Sequence, residues 1–252
     1  MRIFSCLSFL LAGALQCQSP VRQPVFDGDK AFVQLQKQCD FGPRAPGTAG
    51  WRNCRDYLIR TLQTYADQTL QHSFALEFGR PRRTVEAINI IARCQPQKEQ
   101  RLLLCAHWDT RPWADMDPLP QNRQTPILGA NDGASGVAVL LELARLLHAH
   151  KPALGVDLVL FDGEDSGESH SPESYARGSA AFARDWGSRL HPRFAILLDM
   201  IGDKDLQIFY EAHSLQYAPQ IVHKVWQQAR LLGVNEFIAQ EGYAVYDDHV
   251  PL

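Results

Sequence analysis

The sequence lacks both an excess of basic residues and a glycine-rich phosphate-binding loop. Its 25 lysines and arginines are balanced by 28 aspartates and glutamates, which gives a formal net charge of -3. Proteins that bind nucleic-acid phosphates normally carry a basic excess, and neither the P-loop pattern nor the dinucleotide-binding glycine pattern occurs. We therefore expect neither nucleic acid nor a nucleotide as a partner.

The sequence also lacks an apolar run long enough to span a bilayer. Its N-terminal segment combines Arg2, an apolar stretch over residues 3–15 and small residues at 12–14, which is typical of a secretory signal. We predict a signal peptide over residues 1–18 and a single domain over residues 19–252. The protein is then exported, to the periplasm or the cell exterior.

Cys17 offers a second interpretation of the same segment, a lipoprotein signal with a lipid anchor. Gln16, however, is bulkier than the small residue that this processing prefers. Of the cysteines that follow, none has metal-ligand spacing, which disfavours a cysteine zinc site. Cys39 and Cys54 flank a turn-rich stretch and could form a disulfide, whereas Cys105 lies in an apolar run and is expected to be buried.

Helical and extended patterns alternate along the chain, which predicts an α/β fold. Two β-rich runs, 85–92 and 102–106, are separated by a polar turn and are expected to form a hairpin or adjacent strands. The other predicted strands are 156–161, 194–198 and 206–210. The predicted helices are 48–65, 137–147, 178–186 and 218–231.

Acidic residues and a histidine follow several of the predicted strands directly. His107 and Asp109 follow one strand, 162–165 follow another, and Asp199 follows a third. In open α/β sheets the ligand site lies at the carboxyl ends of the strands. Gathered carboxylates repel one another unless a cation neutralises them, and a mixed histidine and carboxylate set favours zinc over calcium. Each acidic residue taken alone is more often a helix cap or a turn residue, and each histidine or tryptophan a packing residue.

The motifs at these positions together resemble the zinc-dependent glutaminyl cyclases, a branch of the zinc aminopeptidase superfamily. The resemblance extends from about Cys39 to the last residue. The motifs that carry it are His-Trp-Asp at 107–109, Gly-Ala-Asn-Asp-Gly-Ala-Ser-Gly at 129–136, Phe-Asp-Gly-Glu-Asp at 161–165, Leu-Leu-Asp-Met-Ile-Gly at 197–202 and Asp-Asp-His-Val-Pro at 247–251.

The resemblance implies a mixed, mostly parallel central sheet with helices on both faces, and one Zn²⁺. It implies that Asp132 and Asp165 are zinc ligands and that Glu164 is the acid-base residue. Asp199 and Asp247 match carboxylates that hydrogen-bond around the reacting amide and hold Glu164 in place.

Other positions take less definite roles from the resemblance. His107 matches a ligand of the second metal in the aminopeptidases, and in the cyclases it can instead be a second-sphere residue. Trp113, Tyr246 and His249 are candidate substrate contacts. His170 stands where animal cyclases carry a tryptophan, so the contacts in that loop are expected to differ.

The implied activity is conversion of the N-terminal glutamine of a peptide or protein to pyroglutamate, with release of ammonia. This reaction needs a polarised side-chain carbonyl, a deprotonated α-amine and a protonated leaving group. A zinc ion supplies the first, and a carboxylate with a raised pKa, such as a partly buried Glu164, can perform both proton transfers.

Family members continue past the position of Leu252 with a strand, a Trp-His pair that supplies the third zinc ligand, and a closing helix. The sequence ends at Leu252, so we expect it to be C-terminally truncated, without the third ligand. The first alternative is a zinc aminopeptidase, with the same ligands, a second metal and a water activated by Glu164. The second is a non-catalytic exported binding domain on the same scaffold.

Overall fold

The computed structural model describes residues 24–79 and 81–252. The predicted signal peptide and Cys17 lie outside these residues. The helices are α1 (Gly28–Asp40), α2 (Ala49–Tyr65), α3 (Ala134–Ala149), α4 (Arg177–Trp186), α5 (Ala212–Tyr217) and α6 (Pro219–Leu231). The strands are β1 (Gln68–Phe78), β2 (Arg83–Cys94), β3 (Arg101–His107), β4 (Gly155–Phe161), β5 (Pro192–Leu197), β6 (Ile208–Tyr210) and β7 (Phe237–Glu241). Within the described ranges, no helix is both long and apolar enough to cross a membrane.

The central sheet has the strand order β1-β2-β4-β3-β5, and β6 and β7 form a separate parallel pair. Strands β3, β4 and β5 are parallel to one another, and β2 is antiparallel to both of its neighbours. All strands of this sheet except β2 therefore point in one direction. This mixed α/β sheet confirms the predicted fold class.

The expectation that 85–92 and 102–106 form a hairpin or adjacent strands is wrong, because β4 lies between them. The connecting segment instead crosses the start of β4, where the Gly155 amide donates to the carbonyl of Gln100 at 2.9 Å. The Arg101 guanidinium also bonds to the carboxylate of Asp157 in β4, at 2.7 Å. Every residue of β4 is buried, which explains its central place in the sheet.

Alternating side chains of the strands pack against helices on opposite faces of the sheet. Leu158 and Leu160 of β4 belong to a core that includes Trp51 and Leu58 of α2 and Leu140 of α3. Val159 and Phe161 point to the other face and pack with Phe182 of α4. Because side chains alternate across a strand, the continuous apolar sequence of β4 supplies both cores. Helices on both faces are thus confirmed.

Helix α2 agrees with the sequence prediction, whereas several other elements were not predicted. α2 begins where predicted, with Thr48 as the N-cap that accepts from the Trp51 amide. α1, β1, α5 and β7 are elements that the sequence did not predict.

Cys39 and Cys54 are free thiols, so the suggested disulfide is not formed. Burial raises the pKa of Cys54 to about 12. Cys105 is fully buried, as expected.

Candidate metal and active site

The parallel strands bring the predicted site residues to one edge of the sheet. β3 ends at His107, which lies directly beside Phe161 at the end of β4, and β5 ends at Leu197 on the other side of β3. Glu164, Asp165 and Asp199 follow these strand ends within a few residues. Carboxyl ends of parallel strands share an edge of the sheet, so the polar groups of separate motifs meet there.

Asp132 reaches this edge through the turn that starts α3. Gly133, the N-cap of that helix, has φ of +89°, and a Cβ on it would lie 3.1 Å from the His107 ring. The positive φ disfavours any other residue at this position. A Cβ would also lie only 2.7 Å from the carbonyl oxygen of Asp109, besides its tight contact with the imidazole. The glycine lets the turn lie against the ring and places Asp132 beside it.

His107, Asp132 and Asp199 form the one group of three candidate metal ligands found in the described part of the chain, with ligand atoms all within 4.8 Å of one another. The Nε2 atom of His107 lies 2.9 Å from Asp132 Oδ1 and 3.3 Å from Asp199 Oδ1. Nε2 and Asp199 Oδ1 are buried and make no hydrogen bond of acceptable geometry. Buried polar atoms normally have partners, so atoms that converge without pairing fit a divalent cation.

Asp165 lies outside this group of three, but it borders Asp132. Burial, and next the charge of Asp132, raise the pKa of Asp165 to about 8. Its Oδ2 atom is buried without a hydrogen-bond partner, which again fits a cation. The predicted ligands Asp132 and Asp165 therefore share one electrostatic environment, and His107 and Asp199 add further donors of the kind that zinc accepts.

Glu164 is 8% exposed, and the main chain around it is held by the carboxylate of Asp109. The Asp109 carboxylate accepts from the amide of Glu164 at 3.1 Å and from that of Asp165 at 3.3 Å. Burial raises the pKa of Glu164 well above its ordinary value, and the charges of Asp248, Asp165 and Asp247 add to the effect, while His107 opposes it.

Asp199 and Asp247 are neighbours whose pKa values shift in opposite directions. Burial disfavours ionisation of Asp199, but the adjacent His107 outweighs it and lowers the pKa of Asp199. Burial and the charge of Asp199 raise the pKa of Asp247 to about 7. The pair therefore holds a proton between its carboxyl groups over a range where isolated aspartates are ionised.

His107 is also strongly perturbed. Burial favours its neutral form, but the charge of Asp199, together with the nearby carboxylates of Asp109 and Asp132, raises the pKa of His107 well above its ordinary value. An imidazole must be neutral to bind a metal. Metal binding at this group therefore competes with protonation of His107.

Residues 89–252 match the sequence model of peptidase family M28. The chain belongs to peptidase family M28. Among its relatives, the glutaminyl-peptide cyclotransferase of Drosophila melanogaster is 28% identical over 234 residues, which cover 83% of this chain and 63% of that protein. The chain thus spans just under two thirds of the length of this curated relative.

Solved structures of M28-like proteins have the same fold. A glutaminyl cyclase of Bacteroides thetaiotaomicron, solved with N-acetylhistamine bound, has a TM-score of 0.87 and 39% identity, and the match covers 90% of this chain and 80% of that one. A Zn-dependent exopeptidase of Parabacteroides distasonis has the same TM-score, identity and coverage. The same scaffold is therefore described both as a cyclase and as a peptidase.

The candidate substrate contacts of this M28 chain lie in different surroundings. Trp113 packs against Phe78, with ring centroids 6.4 Å apart, and lines a cavity of about 520 Å³. His249 is half-buried and pairs with Glu211 at 3.1 Å. Tyr246 is exposed. Their role in substrate binding stays a prediction.

Two buried residues support the site and were not predicted to do so. The Arg44 guanidinium, fully buried, donates to the carbonyls of Trp108 at 3.0 Å, Leu128 at 2.9 Å and Gly129 at 2.7 Å. It thereby joins both ends of the long loop 109–129, one beside His107 and the other near Asp132.

Asp162 is the second of these residues, and it lies under the turn that carries Glu164. Its carboxylate accepts from the Ile88 amide at 2.7 Å and from the Trp51 indole at 3.0 Å. Trp51 in turn stacks on Trp108, which is fully buried. Trp108 is therefore a packing residue.

Proposed function

We propose that the chain carries the active site of a zinc-dependent glutaminyl-peptide cyclotransferase, which acts on the N-terminal glutamine of peptides or proteins. The observation that carries this proposal is the buried Glu164, with its raised pKa, beside the Asp199–Asp247 pair. The cyclotransferases among the relatives and solved structures support the same activity.

In this proposal Asp132 and Asp165 hold the zinc, with His107 and Asp199 beside them. Bound zinc would supply polarisation of the substrate's side-chain carbonyl. Glu164 accepts a proton from the α-amine as its nitrogen forms a bond to the side-chain carbonyl carbon. The carboxyl group then donates this proton to the amide nitrogen as its bond to carbon breaks, and ammonia leaves.

The raised pKa of Glu164 suits both steps. A general acid-base group works best when its pKa lies near the operating pH, and an ordinary exposed glutamate is too acidic to return the proton readily. The protonated Asp199–Asp247 pair can donate a hydrogen bond while it remains beside Glu164. Asp109 fixes the main chain of Glu164, so that the carboxyl group stays in place through both transfers.

A zinc aminopeptidase is the second candidate, and one observation favours it. His107, Asp132 and Asp199 already form a three-ligand group without Asp165, so Asp165 is left to bind a second metal together with Asp132. In that enzyme Glu164 would deprotonate a water molecule instead of an amine.

The test uses matched peptides that differ only in an N-terminal glutamine or leucine, with zinc content measured on the same protein. A cyclase converts the glutamine peptide to its pyroglutamyl form with release of ammonia, and leaves the leucine peptide intact. Release of free leucine, with a pair of bound zinc ions, would overturn the cyclase in favour of the aminopeptidase. Absence of zinc and of turnover would instead favour a non-catalytic binding domain. Glu164→Gln is the control, because it removes the proton carrier and keeps the size of the side chain.

We also propose that the protein is exported, on the basis of residues 1–18. Cell fractionation tests this, and metabolic labelling with a fatty acid tests the lipid anchor. Labelling that disappears in Cys17→Ser supports the anchor, whereas unlabelled protein outside the cytoplasm supports simple secretion. Protein with its N-terminus intact in the cytoplasm would contradict both.

A further inference from the structure

Arg111, in the loop after β3, makes a direct contact with the site. Its Nη1 atom donates to Asp165 Oδ1 at 3.3 Å and to the carbonyls of Asp165 and Gly167, each at 3.2 Å. The opposite side of the same guanidinium faces Asp115, with Nε at 2.8 Å and Nη2 at 2.5 Å from its carboxylate oxygens. One planar group thus joins two carboxylates from two loops.

The guanidinium is fixed in this position from several sides. Its side chain is 11% exposed, and it lies 5.3 Å from the ring centroid of Trp113 and 5.4 Å from that of Tyr175. Ser169 donates to Asp115 at 2.7 Å, which anchors the far end of the ion pair. A half-buried, stacked and doubly paired arginine has little freedom to move.

The two oxygens of Asp165 are consequently not equivalent. Oδ1 accepts from Arg111, whereas Oδ2 is buried without a hydrogen-bond partner. The Asp165 amide is bound to Asp109, so the whole residue is held at both ends. Oδ2 is thus the oxygen of this carboxylate that is left without a partner.

We propose that Arg111 is a positioning residue that occupies Oδ1 of Asp165 and reserves Oδ2 as the single metal-binding oxygen of that carboxylate. The proposal rests on the proposed function, because it takes Asp165 as a zinc ligand. Arg111 also neutralises part of the charge gathered at the site. It thus sets the geometry of the ligand without touching the metal.

Arg111→Lys tests the geometric role, because lysine keeps the charge and loses the planar fork that spans Asp115 and Asp165. Loss of a residue that orients a metal ligand typically weakens metal affinity about 10- to 100-fold. We expect a loss of this size in the zinc dissociation constant, measured by competition with a chromogenic chelator. The cobalt(II)-substituted protein should show a changed visible spectrum as well, because the spectrum follows the ligand geometry.

Asp115→Asn is the second variant, and it leaves Arg111 and Asp165 in place. It should weaken zinc binding in the same direction but by less, because the guanidinium loses only part of its anchor. Arg123→Lys is the matched control: Arg123 lies in the same loop and donates to the carbonyl of Asp117, away from Asp165. Thermal unfolding checks that every variant is folded.

The outcomes separate this inference from the proposed function. Wild-type protein that binds no zinc would overturn both. Zinc binding by the wild type that is unchanged in Arg111→Lys, with the same cobalt spectrum, would overturn the role of Arg111 and leave the proposed function intact. A loss of the same size in Arg123→Lys would also contradict it, since replacing any arginine of this loop by lysine would then have the same effect.

Discussion

In metal-free protein, the free energy of unfolding should fall as pH rises from about 5.5 to 8. Asp165 and Asp247 have pKa values raised to about 8 and about 7 by burial and neighbouring carboxylates. In this pH window the folded chain keeps their protons, whereas the unfolded chain has released them. A group with a raised folded pKa contributes stability that is lost as pH rises toward that pKa.

The expected loss in the free energy of unfolding follows from the width of this pH range. Each pH unit costs about 1.4 kcal/mol per retained proton, so Asp165 accounts for about 3 kcal/mol between pH 5.5 and 8. Asp247 accounts for about 2 kcal/mol up to its own pKa near 7. The raised pKa values of Glu164 and His107 act in the same direction, whereas burial lowers the pKa of His249, which acts in the opposite direction. Because coupled groups are not additive, we expect a total loss of about 3–5 kcal/mol.

Urea unfolding followed by tryptophan fluorescence measures this loss in chelator, at both ends of the pH range. Added zinc should restore more stability near pH 8 than near pH 5.5, because it replaces the retained protons. Asp165→Asn should flatten the pH dependence and remove most of the zinc effect. A metal-free stability that stays constant or rises across the range would refute the reasoning.

Other variants test single contacts. Asp247→Asn should lower turnover, because the variant cannot share a proton with Asp199 beside Glu164; unchanged turnover would contradict this. Arg44→Met should destabilise the fold by about 3–5 kcal/mol in urea unfolding, because buried carbonyls lose their donor; a change under about 1 kcal/mol would count against it. Trp51→Phe should cost about 1–3 kcal/mol, since Asp162 loses the indole donor. Trp226→Phe, which removes a part-buried indole donor from a main-chain carbonyl, is the comparison.

Elements with a strong pattern could be predicted from the sequence. The apolar periodicity of α3 and the continuous apolar run of β4 gave their type and place along the chain. β1 escaped prediction, because its alternating burial lies among many polar residues and becomes clear only when it pairs with β2. The order of strands was also beyond local reasoning: a polar turn of the kind seen at 95–100 suits a hairpin as well as a crossing over β4.

The acidic and histidine residues of the site could be predicted for a different reason. His107, Glu164 and Asp199 lie at or just after the ends of parallel strands, which meet at one edge of the sheet whatever lies between them. Asp132 and Asp247 lie in loops and were predicted from the family resemblance. The same rule identified Asp109, which lies two residues after His107. Arg44 and Arg111 could not be found by it, because a guanidinium acts at the end of a long side chain, and nothing local tells which carbonyl or carboxylate it reaches.

Arg44 and Arg111 place positive charge beside the carboxylates that are gathered at the site. The protein already supplies positive charge at its site: Arg111 on Asp165, Arg44 within electrostatic reach of Asp109 and Asp132, and a His107 that favours its protonated form. Even so, the carboxyl groups of Asp165 and Asp247 keep raised pKa values. The fixed cations therefore hold the loops in place but leave the charge at the centre uncompensated. The remaining negative charge must be neutralised either by protons on the carboxylates or by a divalent metal. Because the metal replaces these protons, the site should bind it more tightly as pH rises.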